Sequence, residues 1–381
     1  MRRSKGLLLS LVLLLGGSLT CGAVGEVAPI TFDVGPRLLG VDAGIGYRGA
    51  PLIPNVDTTI WAYLGGGYEW LTYYRDPSGA LVGPRDLAPG GALDGKDPGF
   101  VRIEGAWRLG IDQGLAWNER TKTNLVEAFA FYRGRVDSNR IEPGQLLYDS
   151  ALSDRSGILL NSIIAGFAYD DLLSDVHHKT RSGISAELST EWGPRFFFNS
   201  LIGNSDLIRF NAAFRWFLPL YDMKPDTPVN VFSVYLGEHF SVDYALGLGA
   251  PVPLYIRQTF GGRGDQKIGL GKAVRGVDDG SLDTNLKAVN NLEVRANLPA
   301  FVHPDIVPGF LLFWDIGYYN QVGESGFIGA AGAGIVSSAG AGVFLDFLDR
   351  ARGAAYVTRR LTGVNADGSV VNLKVEFGLH F

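Results

Sequence analysis

Cysteine is all but missing from this sequence: Cys21 stands alone among 381 residues. One thiol has no partner within its own chain, so a disulfide framework is excluded. Charge is scarce as well, at 19% of residues, and the 34 Lys and Arg fall short of the 39 Asp and Glu, leaving a formal net charge of −5. With no basic run and no interleaving of aromatic and basic residues, the phosphate footprint that nucleic acid requires is absent. Long apolar runs are lacking too. After residue 25 no stretch approaches the roughly 20 apolar residues of a membrane helix, and the 3.6-residue period of amphipathic helices is hardly to be found.

The usual marks of catalysis and metal binding are missing in turn. There is no Gly-x-Ser-x-Gly elbow and no His-Glu-x-x-His pair. Gly271-Lys272 lacks both the upstream Gly and the following Ser or Thr of a phosphate loop. His177 and His178 are adjacent, so a strand would point them to opposite faces, and no Cys or carboxylate stands at metal spacing. No cofactor, metal or catalytic residue is therefore expected. Arg263-Gly264-Asp265 matches an adhesion tripeptide, but three residues recur by chance.

What the chain has in quantity is Gly (52) and aromatic side chains (22 Phe, 15 Tyr, 7 Trp). It also has a leader: Arg2, Arg3 and Lys5 precede the apolar run Leu7 to Leu15, and small residues follow at Gly16, Gly17 and Ser18. This is the pattern of a secretory signal peptide, too short to span a bilayer, and it sets the expected division into a signal peptide over 1–25 and one domain over 26–381. Cys21 is lost with such a leader or, on a second reading, lipidated. An exported chain without disulfides finds its stability elsewhere, and a closed barrel in lipid is one way.

The strand signal is clearest at the end. Val371, Leu373, Val375, Phe377, Leu379 and Phe381 alternate with Asn372, Lys374, Glu376, Gly378 and His380, giving one apolar and one polar face. Val101, Ile103, Trp107, Leu109 and Ile111 alternate with Arg102, Glu104 and Arg108, and Leu292, Val294, Ala296 and Leu298 alternate with Glu293, Arg295 and Asn297. A soluble sandwich alternates as well, but several of these segments hold the pattern over about 10 residues, the span of a tilted membrane strand, where globular strands most often run to about 5 or 6. Aromatic residues at segment ends, such as Trp70, Tyr73 and Tyr74, fit interfacial girdles. The class predicted is all-β, a transmembrane antiparallel β-barrel.

Fourteen strand candidates result, at 39–49, 58–73, 100–111, 123–135, 158–170, 184–199, 205–218, 229–244, 250–260, 287–298, 310–319, 332–347, 354–362 and 371–381. Counting back from a periplasmic C-terminus puts 260–287, 219–228 and 170–183 outside the cell and 75–99 in the periplasm. The last assignment is unexpected for a long stretch and adds weight to a missed strand there.

One Gly-rich stretch, Gly269-Leu-Gly-Lys-Ala-Val-Arg-Gly-Val277, lies between Tyr255-Ile-Arg-Gln-Thr-Phe-Gly-Gly262 and Leu292-Glu-Val-Arg-Ala-Asn-Leu-Pro299, and Phe313-Trp-Asp-Ile-Gly317 follows. In that order the pieces resemble the barrel of the BamA/TamA/TpsB superfamily, the outer membrane protein 85 or bacterial surface antigen barrels, which insert or export proteins. The resemblance covers residues 255–381. It implies sixteen strands, so that 75–99 and 136–157 would each hide one beyond the fourteen counted, and a Val-Arg-Gly loop folded into the lumen. The lumenal loop anchor then comprises Arg275 and Gly276 on the loop, Glu293 on one strand, and Asp315 and Gly317 on the next. If Leu312, Trp314, Ile316 and Tyr318 face lipid, Asp315 faces the lumen, where a charge is hydrated or paired. An ordinary exposed loop Arg is the plainer reading of Arg275 alone.

Phe377, Gly378 and Phe381 look like the C-terminal assembly signal of outer-membrane barrels. Two departures stand out. Val277 occupies a place usually held by Phe or Tyr, and only about a dozen residues separate the leader from the first strand candidate, too few for the periplasmic POTRA-type modules that the superfamily's insertases and exporters carry. A barrel-only member is the expectation, placed in the bacterial outer membrane and acting on protein or lipid. Outer-membrane lipid, the barrel-assembly machinery and a separate periplasmic accessory protein are its implied partners. A passive porin-like channel that kept the fold is the alternative. An outer-membrane hydrolase needs a Ser/His pair that nothing here singles out.

Overall fold

The computed structural model describes residues 30–37, 40–47, 55–79, 82–174, 181–223, 232–263, 274–277, 283–300, 306–320, 334–347, 351–363 and 369–379. Residues 1–25, read above as a leader, lie outside them. Fifteen strands dominate the described residues: β1 (Ile30–Arg37), β2 (Gly40–Tyr47), β3 (Thr58–Thr72), β4 (Gly99–Asn118), β5 (Thr123–Arg140), β6 (Gly157–Asp170), the two-residue β7 (Leu173–Ser174), β8 (Arg181–Gly193), β9 (Leu207–Met223), β10 (Phe232–Gly247), β11 (Leu286–Asn297), β12 (Ile306–Tyr319), β13 (Ile335–Phe347), β14 (Ala351–Arg360) and β15 (Val371–Leu379). The helical elements are single turns, α1 (Pro84–Leu87) and α2 (Leu254–Gln258), with 3-10 turns at Leu146–Asp149 and Arg195–Phe197.

Every pairing between these strands is antiparallel and, apart from the small β7, runs between sequence neighbours. β1 and β2 form a hairpin, and one sheet continues from β3 through β4, β5, β6, β8 and onward to β15. β4 is 20 residues long and β5 is 18, well beyond the roughly 9–11 needed to cross a bilayer. Such strands are long enough to extend past the membrane.

The period-2 alternation sorts side chains in the opposite sense to a soluble protein. On β12 the outward residues Phe310, Leu312, Trp314 and Tyr318 are between 44 and 59% exposed, whereas Asp315 on the inner face has no exposure at all. Leu64, Leu109, Phe167, Leu188 and Leu373 are exposed on other strands, while Arg133, Arg209, Glu191, Glu293 and Asp243 are buried. A continuous apolar outer belt around a charged interior is what lipid selects, because it solvates Leu and penalises Arg and Asp.

The sheet is curled into a barrel, as the contacts made by a single segment, 248–285, demonstrate. Gln258 Nε2 donates to the Thr72 carbonyl at the end of β3 (3.0 Å), and Asn372 Nδ2 of β15 donates to the Gly276 carbonyl (3.1 Å). Strands at the two ends of the hydrogen-bonded path thus touch the same interior segment.

Three sequence expectations are corrected. The candidate strand at 250–260 is instead α2, inside the barrel. Pro251 and Pro253 explain it: neither can donate to a ladder, which bars a central strand, and Pro253 stands at the N-cap of the helix. Among the described residues, the stretches 75–99 and 136–157 hold no further strand; α1 lies in the first, and the second holds the end of β5 and the 3-10 turn. Removing the false strand reverses the sidedness of everything before it. The described residues of connections 73–98, 141–156, 194–206, 248–285, 320–334 and 361–370 share one end of the barrel, and those of 119–122, 171–180 and 298–305 share the other with the end of β15. Long loops then gather at one end and short turns at the other, the normal asymmetry of such barrels. The described residues of 170–183 and 219–228 accordingly lie at the end opposite those of 260–287, and those of 75–99 lie beside the latter. Arg75 confirms the last point with an ion pair to Asp283 at 2.6 Å.

A sheet curled into a barrel in lipid leaves no free edge from which to fray. The protein extracted in mild detergent is therefore expected to run faster on a denaturing gel before boiling than after it. Identical mobility together with a helical far-UV dichroism spectrum would contradict the architecture.

Candidate functional site

The interior is organised around segment 248–285, between β10 and β11, whose described residues 248–263, 274–277 and 283–285 bond to the inner wall. Its first anchor is α2. Asp154 of the 141–156 connection accepts the Leu254 N–H at 2.7 Å and so caps the start of the helix. Burial raises the pKa of this carboxyl, with the backbone hydrogen bond opposing. At the other end of α2, Lys287 Nζ of β11 donates to the carbonyls of Ile256 (3.0 Å) and Arg257 (3.1 Å), where a helix C-terminus favours a cation. Tyr255 lies under the Arg135 guanidinium, 3.7 Å from ring centroid to Cζ. Arg209 of β9 bonds Asp243 of β10 at 2.8 Å and also reaches the Thr259 carbonyl, and Asp243 accepts the Gly261 N–H as well.

Arg263 is the second anchor. It pairs with Glu127 of β5, lies 3.1 Å from Asp112 of β4, and its backbone N–H reaches Glu187 of β8 at 2.8 Å. The turn into it passes through Gly262 at φ +96°, where a Cβ would strike Glu187 and Asn211. Asp283 is the third, held by Arg75 and Arg257.

The fourth anchor brings together the sequence-predicted residues. Arg275 forms a fork on Asp315, with Nε to Oδ2 at 2.8 Å and Nη2 to Oδ1 at 2.6 Å, and its backbone N–H reaches Oδ2 at 2.9 Å. Its remaining terminal nitrogen donates to Glu293, whose other oxygen accepts from Arg295. The guanidinium also stacks on Phe313, 3.7 Å from the centroid. Burial works against the Arg275 charge, but Glu293 and Asp315 outweigh it and raise its pKa.

Glycine permits the close approach. Gly276 sits at φ +81°, and a Cβ there would fall 2.3 Å from Thr358 Oγ1; a Cβ on Gly317 would fall 2.8 Å from Val274 Cγ2. Val277 is buried with Val274, Val289, Tyr319, Val336, Tyr74 and Phe260. A small aliphatic side chain fits this cluster where the resemblance leads one to expect an aromatic ring.

The carboxylates of the fourth anchor are occupied by guanidinium groups, an arrangement suited to holding a segment rather than to transferring protons. Among the described residues no group of three His, Cys, Asp or Glu is placed to hold a metal ion. Phe377 and Gly378 lie on β15, paired with Gly353 and Arg352 of β14. Phe381, His177, His178, Gly269 and Gly271 lie outside the described residues.

Among solved structures, CdiB from Escherichia coli is similar at a TM-score of 0.51 and 12% identity, over 94% of this chain and 64% of that one. The chain has the fold of the CdiB barrel. This is the fold that the resemblance to the BamA/TamA/TpsB superfamily implies. BamA from Haemophilus ducreyi lacking POTRA domains 1-3 is matched at a TM-score of 0.47 and 12% identity (92% of this chain, 67% of that), and CdiB from Acinetobacter baumannii at 0.47 and 13% (93% and 60%). The chain thus spans about two thirds or less of the CdiB chains. No protein-family model matches the sequence, and no curated protein matches it.

Within this CdiB-like fold, sequence reasoning missed three of the four anchors. Arg209, Asp243 and Lys287 carry a signal, since each occupies the polar face of an alternating strand. Arg75, Arg257, Arg263 and Asp283 carry none, because they lie off the strands that impose a period.

Replacing Arg275 with Ala strands the fully buried Asp315 and should destabilise the folded state by about 3–5 kcal/mol, the usual cost of breaking a buried pair. Arg275→Lys should recover only part, because an ammonium cannot fork. Arg275→Ala/Asp315→Ala should be no worse than Arg275→Ala alone, as urea unfolding followed by gel mobility would read. Additive losses would show that the two side chains act independently.

Proposed function

We propose that this chain is an outer-membrane barrel of the assembly and export superfamily, with its lumen occupied by its own segment 248–285 and a role in insertion or transport of protein or lipid. In this reading residues 1–25 are removed on export, Arg275, Gly276, Glu293, Asp315 and Gly317 anchor the lumenal loop, and Phe377, Gly378 and Phe381 form the assembly signal read by the barrel-assembly machinery. The role is one of transport or assembly, not catalysis. A separate periplasmic accessory protein recruits the substrate, and outer-membrane lipid is the standing partner of the belt.

The observation that carries the reading is that described residues of segment 248–285 lie inside the lumen, bonded to its wall. A pore for steady diffusion needs a water-filled path, whereas here one segment is tied to β4, β5, β8, β9, β10, β11, β12 and β15 by charged and backbone contacts. Ion pairs of this kind hold firmly yet exchange for water when the segment moves, which suits a gated barrel better than an apolar plug would.

Single-channel recording in planar bilayers tests it. The wild-type barrel should conduct rarely and in brief openings, and Arg275→Ala should lengthen and enlarge them. Steady conductance of the wild type, unchanged by the substitution, would favour the passive porin-like channel instead.

A further inference from the structure

The 194–206 connection, at the long-loop end, does not behave as a solvated loop. Phe196, Phe198 and Leu201 are 67 to 70% exposed and Ile202 is 44% exposed, while Arg195 and Asp206 are the only charged residues of the stretch. These side chains are presented by a fixed backbone. Asn199, which is fully buried, donates to the carbonyls of Asn161 (2.8 Å) and Pro194 (3.0 Å), accepts the Asn161 N–H (2.6 Å), and its own backbone N–H reaches the Arg195 carbonyl (3.2 Å). The Leu159 N–H donates to the Ile202 carbonyl at 2.9 Å, so the loop continues the pairing of β6 beyond the last rung that β8 supplies at Trp192. Phe198 takes the left-handed conformation, φ +66°, that turns the chain here.

The exposed set is continuous with the apolar belt of the barrel. Leu188 and Trp192 lie on the outward face of β8, Trp192 packs edge-on against Phe196 at 5.6 Å between centroids, and Leu248, also exposed, lines the same recess as Trp192 and Phe196. A water-facing loop of this composition would hold a rigid apolar patch against solvent to no purpose. Joined to a surface that already faces acyl chains, it extends that surface upward.

We propose that the 194–206 loop inserts into the membrane leaflet at the long-loop end, with Phe196, Phe198, Leu201 and Ile202 among the lipid acyl chains, and so raises the apolar belt on the β6–β8–β9 side of the barrel. The inference rests on the reading of the chain as a membrane barrel. Its consequence is a fixed orientation of the barrel in the bilayer, with one side seated deeper than the others.

The test uses the full barrel in phospholipid vesicles, in a Cys21→Ser background, with an environment-sensitive fluorophore attached in turn through Leu201→Cys, Leu188→Cys and Tyr148→Cys. Leu188 lies in the belt, and Tyr148 is exposed in another connection at the same end. Lipids spin-labelled along the acyl chain should quench the probe at 201 at least two-fold, as at 188, and aqueous iodide should quench only the probe at 148. Quenching at 201 by iodide and not by lipid, with 188 still lipid-quenched, would overturn the proposal while leaving the barrel intact. Shielding at 201 from both quenchers would overturn it as well, in favour of a protein on the loop. Loss of lipid quenching at 188 would overturn the barrel reading itself.

Discussion

Asp315 is a carboxylate with no solvent exposure on the inner wall of a barrel, and the guanidinium that meets it comes from outside the wall. That pairing ties the fold to the loop. An unpaired charge at such depth is strongly destabilising, so the wall and segment 248–285 are each incomplete alone. The bidentate geometry, the additional contact with Glu293 and the stacking on Phe313 all fix the same guanidinium. Gly276 and Gly317 then follow as requirements, since a larger residue at either would hold the segment away from the wall.

The same logic extends across the interior. Backbone groups in lipid must be satisfied within the protein, which forces a closed ladder, and a ladder of this many strands encloses more space than its own side chains fill. Segment 248–285 occupies part of that space by offering groups the wall can bond: Tyr255 and the carbonyls of α2, Arg263, Arg275 and Asp283. Polar filling has a dynamic consequence. An apolar plug would be held by the hydrophobic effect and would not release without exposing that surface to water, whereas fork-shaped ion pairs can be replaced by hydration one at a time.

Much of this was legible in the sequence because period-2 alternation is a direct record of two environments. Leu292 to Leu298 and Val371 to Phe381 could be assigned to strands from their pattern alone, and the inward parity of Glu293 and Asp315 followed from it. The meeting of Arg275 with Glu293 and Asp315 was what the resemblance implied; their spacing alone gives no such signal. Tyr255 to Phe260 misled because a single helical turn is too short to display its own period, and the alternation of Leu254, Ile256 and Gln258 with Tyr255, Arg257 and Thr259 imitates a strand; Pro251 and Pro253 were the stronger signal. The error then propagated, since one strand too many exchanges the two ends of the barrel for every loop before it. Arg75 and Asp283 meet across 208 residues, and no local pattern encodes such a contact.

The central claim is that the segment bearing Arg275 lies inside the barrel, and thiol accessibility tests it most directly. Val277 is 6% exposed next to that anchor, and Leu361 is 55% exposed in a connection at the same end. In a Cys21→Ser background, intact cells carrying Val277→Cys or Leu361→Cys would be treated with a membrane-impermeant maleimide. The account predicts rapid labelling at 361 and almost none at 277 until Arg275→Ala is added or the protein is unfolded. Labelling at 277 as fast as at 361 in the otherwise unaltered folded barrel would contradict it.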